Sequence, residues 1–214
     1  ELSYKNAGSL LPQGGDNLTA EDTEELARAI YKLADNRSME RFRQNGDDEF
    51  SISLSGVGRF RINLFRQRGS VSMVIRVARQ ELPEFGRLNI PKPVLDLYKL
   101  NKGLVLITGP AGCGKTTTLS YILNKMNHTL PFHIITIEDP IEHLYTNDKS
   151  IISQREINQD SPNFLTAINN AVRQSPNVIL ISKLADYNVI NASLNAAEAG
   201  HFILSTMHTI GAAN

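Results

Sequence analysis

The chain has no tryptophan, only one cysteine and no surplus of charge of either sign. With Cys113 alone, an internal disulfide and a cysteine-rich zinc site are both excluded within these residues, which fits a reducing compartment. Lysine plus arginine equals aspartate plus glutamate at 22 each, so no global field draws the chain to nucleic acid or to an anionic bilayer. No apolar run approaches the ~18 residues needed to cross a membrane, and nothing at the start reads as a signal peptide. What is left is an ordinary globular composition, 41% apolar over 214 residues, enough for one large or two small domains with a real core.

One stretch organises the rest. Gly103 to Gly109 is a short apolar run of the kind that makes a buried strand. Gly109-Pro110-Ala111-Gly112-Cys113-Gly114-Lys115-Thr116 then fits the phosphate-binding loop pattern G-x-x-x-x-G-K-[ST] without a mismatch. Glycines let the backbone curl so that successive N–H groups point at phosphate oxygens. Lys115 reaches the β- and γ-phosphates, the Thr116 hydroxyl ligates Mg²⁺, and Thr117 follows in the first turn of a helix predicted to run to about Met126. That helix aims its positive end at the same anion. A plain Gly-rich turn is the alternative; a strand before and a helix after favour a nucleoside triphosphate.

Before this loop lies a different kind of chain. Residues 1–17 read as loop, and Thr19 with Asp22 three residues on reads as the start of a helix whose buried side is Leu26, Ile30 and Leu33. A short helix follows around Ser38–Gln44. Phe50, Ile52 and Leu54, then Phe60, Ile62 and Leu64, then Val71, Met73, Ile75 and Val77 each alternate with polar residues. Joined by Gly-containing turns, they predict an antiparallel meander with one wet face carrying Arg59, Arg61, Arg66, Arg68 and Arg76. A solvated surface is the ordinary reading of those arginines. Three prolines and a glycine within residues 81–93 mark a linker where hinge motion is cheap. The expected division is residues 1–80, a linker at 81–93 and a nucleotide-binding domain from 94 to 214.

After the loop, strands and helices alternate. Phe132–Ile137 is a strand ending in three clustered carboxylates, Glu138, Asp139 and Glu142. Residues 150–156 suggest another strand, and Ser161-Pro162 a helix start with Phe164, Ile168 and Val172 buried. Asn177–Ile181 is a strand, Asp186–Ala199 a helix stopped by Gly200, and Phe202–Thr206 a strand. The pattern implies an α/β fold with a parallel sheet.

Four stretches together resemble a known family. They are Gly-Val-Gly-Arg-Phe-Arg-Ile-Asn at 56–63, the phosphate loop at 109–116, Ile-Thr-Ile-Glu-Asp-Pro-Ile-Glu at 135–142 and Gly-His-Phe-Ile-Leu-Ser-Thr-Met-His-Thr at 200–209. The chain resembles the secretion and pilus motor ATPases from about Leu18 to Ala213, most closely the type IV pilus retraction (twitching motility) ATPases of the PilT type. The resemblance implies a RecA-like sheet preceded by a smaller, PAS-like α+β domain. It implies that Glu138 orients or deprotonates the attacking water, that Asp139 and Glu142 support the metal, and that His201 and His208 sense the γ-phosphate. It also implies that Arg61, Arg68 and Arg76 reach a neighbouring subunit's nucleotide, a recurring device in phosphoryl transfer. The implied assembly is a cytoplasmic homohexamer, turning over Mg·ATP at the inner face of the cell membrane against a pilus platform protein, without membrane insertion or nucleic acid.

The resemblance breaks at one place. After Val178–Ile181 the family has Gly-Glu, an acid that helps hold Mg²⁺, where this chain has Ser182-Lys183; of the family's next residues only Asp186 is kept. A lysine facing Mg²⁺ at about 5 Å is opposed by several kcal/mol even at a dielectric near 20. The alternatives to a retraction motor are therefore a nucleotide-binding but catalytically impaired subunit, or an assembly or type II secretion ATPase. The chain opens on Glu1 and stops at Asn214, where the family pattern begins another helix, so a fragment with its last strand uncovered is expected.

Overall fold

The computed structural model describes residues 17–77 and 90–209, together with the backbone of residues 3–6 and 9–12. The predicted linker at 81–93 lies mostly outside the described residues. The chain divides into two compact units, Glu1–Ala78 and Arg79–Asn214.

The first unit opens on a hairpin, β1 (Ser3–Asn6) paired antiparallel with β2 (Ser9–Pro12), where loop was expected; four-residue strands are too short for alternation to register. Helix α1 (Ala20–Leu33) is capped as its sequence predicts: Asp22 N donates to Thr19 Oγ1 at 3.2 Å while Thr19 N donates to Asp22 Oδ2 at 2.8 Å. Its buried side is only partly the predicted one, with Ile30 packed against the core. Ala27 and Tyr31 face the core, while Leu26 and Leu33 are exposed, because the aromatic ring and the small residue fit the sheet more closely than the leucine row. Helix α2 (Glu40–Asn45) leads into the meander β3 (Asp47–Leu54), β4 (Gly58–Gln67) and β5 (Ser70–Val77), in the order β3-β4-β5. Phe50, Ile52, Ile62, Leu64 and Val71 form the core beneath α1 and α2, whereas Ile75 and Val77 are exposed.

The arginines divide between the two faces. Arg61 lies opposite Arg76 and beside Glu49, with which it forms an ion pair; Arg59 Nη1 donates to Ser53 Oγ at 2.9 Å. Arg66 belongs to the other face, its guanidinium 5.6 Å from the Phe42 ring centroid, so the predicted wet face loses one member. Arg68 occupies the turn between β4 and β5 at φ +51°.

A buried carboxylate ties the unit together. Asp48 Oδ2 accepts from Tyr31 Oη at 2.8 Å and from Arg37 Nε at 3.3 Å, and Arg41 Nε lies 3.6 Å from Oδ1. Burial and the adjacent carboxylate push the Tyr31 hydroxyl upward, so it stays protonated as a donor. Removing the acceptor leaves these donors stranded. Asp48→Ala should cost about 3 kcal/mol in urea unfolding, with Asp48→Asn losing roughly half as much.

The described part of the second unit opens on a short helix, α3 (Lys92–Leu95), and a 3-10 turn, Asp96–Lys99. Then come β6 (Gly103–Gly109), α4 (Lys115–Thr129), β7 (His133–Glu138), β8 (Ile151–Glu156), α5 (Phe164–Val172), β9 (Val178–Ile181), α6 (Tyr187–Glu198) and β10 (Phe202–His208). Helix α5 starts two residues after the predicted Pro162, because the Asn163 side chain caps it, accepting from Thr166 N at 2.8 Å. The five strands are parallel in the order β6-β10-β9-β7-β8. Alternate residues feed two apolar layers: Ile135, Ile137, Ile179, Ile181 and Ile203 face α5 and α6, while Ile134, Val178, Leu180, Phe202 and Leu204 face α4.

Two expectations change here. β10 is not the uncovered strand; it lies between β6 and β9 with Phe202–Thr206 buried. Among the described residues β6 is not a buried strand but the sheet's edge, with Leu106 37% exposed, because strand order depends on pairings a local apolar run cannot encode. Among the described residues no helix is long and apolar enough to cross a membrane.

Candidate functional site

In a parallel sheet every strand ends on the same side, and ligands bind outside those carboxyl ends. Here the register sets Gly109 beside His208 at the ends of β6 and β10, with Glu138 ending β7 and Ser182 following β9. These ends border one cavity of about 390 Å³.

The loop between β6 and α4 has the shape its glycines predict. Gly114 takes φ +94° as it caps α4, and Gly109 takes φ +149°. That backbone conformation favours glycine, and a Cβ on Gly109 would also meet Cys113 Sγ at 2.8 Å, so the cysteine would have to shift. Lys115, buried at 7% exposure, curls back over the loop: Nζ donates to Gly109 O at 2.9 Å and to Pro110 O at 2.7 Å. His208 Nδ1 lies 3.3 Å from the same ammonium, and since an ammonium only donates, the ring nitrogen accepts.

Glu138 faces this loop across the cavity and is buried. Thr136 Oγ1 donates to its Oε1 at 2.6 Å, Gln154 Nε2 to Oε1 at 3.3 Å, and Glu142 N to Oε2 at 3.4 Å. Burial outweighs these donors and pushes the carboxyl up from 4.5 to about 7. The acid is therefore poised near neutrality, where proton transfer works best.

The loop after Glu138, entered through a cis Asp139–Pro140 bond, is held from β8. Gln154 Oε1 accepts from Tyr145 N at 2.9 Å, Gln154 Nε2 donates to His143 O at 2.8 Å, and Glu156 Oε2 accepts from Ile141 N at 2.9 Å. Burial pushes the Tyr145 hydroxyl upward and keeps it protonated. Thr136, Gln154, Glu156 and Tyr145 were not among the candidates. The only sequence signal for two of them is that Gln154 and Glu156, two apart, share one face of a short strand.

Of the candidates, Ala111, Gly112, Gly114, Lys115, Thr116, Thr117, Glu138, Asp139, Glu142 and His208 line the cavity. Gly109, Pro110 and Cys113 belong to the same loop without lining the cavity. His201 does not join them. It precedes β10 at the opposite end of the sheet from His208, roughly 20 Å away along the strand, and its Nδ1 donates to Pro176 O at 2.8 Å. Histidines flanking one strand must lie at its two ends. Arg61, Arg68 and Arg76 belong to the first unit.

The cavity fits the phosphates of a nucleotide: curled backbone N–H groups, a helix N-terminus and Lys115 converge on it. It does not fit a divalent cation held by Thr116, Asp139 and Glu142. Lys183 Nζ donates to Asp139 Oδ2 at 2.8 Å, so that acid already has its cation, and Glu142 is exposed. Among the described residues no cluster of three or more His, Cys, Asp or Glu side chains could hold a metal.

Residues 17–214 match the model of the Type II/IV secretion system protein family. The chain belongs to that family. Within it, the chain is 37% identical over 197 residues to a twitching motility protein of Neisseria gonorrhoeae, covering 92% of this chain and 53% of that protein. It is 34% identical over 197 residues to the type IV pilus retraction ATPase PilT of Pseudomonas aeruginosa, covering 92% and 57%. A crystal structure of the pilus retraction motor PilT with bound ADP superposes with a TM-score of 0.86 at 38% identity, over 97% of this chain and 60% of that one. The Legionella pneumophila ATPase DotB follows at a TM-score of 0.82 and 27% identity, over 99% and 60%. The chain thus spans about half the length of the curated Type II/IV secretion relatives it matches.

Proposed function

We propose that the chain is the nucleotide-binding core of a motor ATPase that powers type IV pilus retraction. The observation that carries this reading is the meeting of Lys115, His208 and Glu138 around one cavity at the strands' carboxyl ends. ATP places its phosphates on the loop 109–116, and Lys115 exchanges its carbonyl partners for phosphate oxygens. Glu138 orients the attacking water and takes its proton. His208, resting on the Lys115 ammonium, reports the phosphate state to β10. Arg61, Arg68 and Arg76 extend toward a neighbour's nucleotide in a homohexamer that works at the inner face of the cell membrane on a pilus platform protein. Mg²⁺ would accompany ATP as in the parent family; of the three proposed ligands Asp139 is already paired with Lys183, which leaves the Thr116 hydroxyl and the exposed Glu142 carboxylate, and no step above is routed through the metal.

A second reading, a nucleotide-binding subunit with little turnover, is favoured by the Lys183–Asp139 ion pair inside the cavity. Calorimetric titration with ADP and ATP, followed by steady-state phosphate release, separates the two. Binding with release supports the motor, and binding without release supports the second reading. Absence of binding sinks both.

A further inference from the structure

β9 ends in a hydroxyl and an ammonium. The Ser182 hydroxyl is buried with no hydrogen-bond partner among the described residues, and Ser182 and Lys183 both line the phosphate cavity. Sheet register places them: Ile137 lies beside Ile181, so Asp139 and Lys183 each leave their strand two residues later, side by side. The Lys183 ammonium is then held from two directions, by Asp139 Oδ2 at 2.8 Å and by the Phe164 ring face at 5.6 Å from its centroid.

This end of the sheet therefore offers an unpartnered hydroxyl and a lysine–aspartate pair of no net charge, where a divalent cation would need acceptors and negative charge. Lys115 and Lys183 both line this cavity, but the Phe164 ring that holds the Lys183 ammonium lines a neighbouring one, so Lys183 acts on Asp139 first.

We propose that Lys183, as a resident monovalent cation, neutralises Asp139 in place of a metal, so that nucleotide binds with little dependence on Mg²⁺. This rests on the nucleotide site proposed above. A metal entering the cavity would face the lysine's repulsion and find Asp139 already neutralised. A metal-free polyphosphate, by contrast, meets the Lys115 ammonium, the Ser182 hydroxyl and no unbalanced acid at the end of β9.

The test is calorimetric titration of the full chain with a non-hydrolysable ATP analogue, once in excess Mg²⁺ and once in excess EDTA. The expected Kd values agree within about threefold for the unaltered chain. In Lys183→Glu the EDTA value should weaken so that binding becomes dependent on Mg²⁺ by at least about tenfold, and Lys183→Gln should fall between. Thermal melts confirm that each variant is folded, and the comparison on the unaltered chain needs no variant. A tenfold or larger Mg²⁺ requirement in the unaltered chain overturns the proposal, as does an unchanged ratio in Lys183→Glu. If the analogue binds under neither condition, the nucleotide site itself falls, and this proposal with it.

Discussion

Lys115→Met should weaken ADP binding by about 100-fold or more while leaving the fold intact. The ammonium has two backbone carbonyl partners within 2.9 Å, and His208 stands 3.3 Å away. Phosphate oxygens replace those carbonyls as charge-assisted acceptors, each such bond contributing about 1.5–3 kcal/mol. Losing two of them amounts to at least about 3 kcal/mol, or roughly two decades in Kd. Methionine keeps most of the buried stem, so thermal unfolding should move little. Titration calorimetry on both proteins reads the effect directly. Affinity retained within about fivefold would mean that the loop is not where the phosphates bind.

Glu138→Gln should leave nucleotide affinity within a few fold and cut phosphate release by about 10²- to 10⁴-fold, the range for a lost general base. Its pH dependence is the sharper test. With the carboxyl pushed up to about 7, kcat/KM should rise through an acid limb near that pH, and the limb should vanish in the variant. Stability carries the opposite sign. Because the folded pKa lies above the ordinary 4.5, the folded state binds more protons than the unfolded one between about 4.5 and 7. The stability that comes from the neutral acid is complete below about 4.5 and lost as pH rises through about 7. The variant lacks this loss, so its advantage over the parent should be larger at pH 8 than at pH 4, by about 3 kcal/mol at most. Urea unfolding at the two pH values measures it. An equal difference at both would show that Glu138 is not held neutral by burial.

The phosphate loop was legible because its signal is local: eight consecutive residues fix the turn, the lysine and the helix start. The meander and the Thr19–Asp22 cap were legible for the same reason, each depending on neighbours two or three apart. What failed depended on distant partners. The buried side of α1 went to Ala27 and Tyr31 because Asp48, seventeen residues beyond Tyr31, claims the phenol. The edge position of β6 follows from β10 pairing with it across nearly a hundred residues. Lys183 was expected to oppose a metal directly; that it pairs with Asp139 could not be read locally, because parallel register sets the two side by side. Gln154 gave no local hint that it braces an acid sixteen positions earlier.

That bracing has a cost in robustness. Among the described residues β8 is the outermost strand at its end of the sheet, with Ile151 largely open to solvent. Margins of a sheet fray before its middle. The aim of the Glu138 carboxyl, to which the chemistry is assigned by proposal, thus depends in part on an outer strand through Gln154. Warming should blur the chemistry while β7, β9 and β10 still stand.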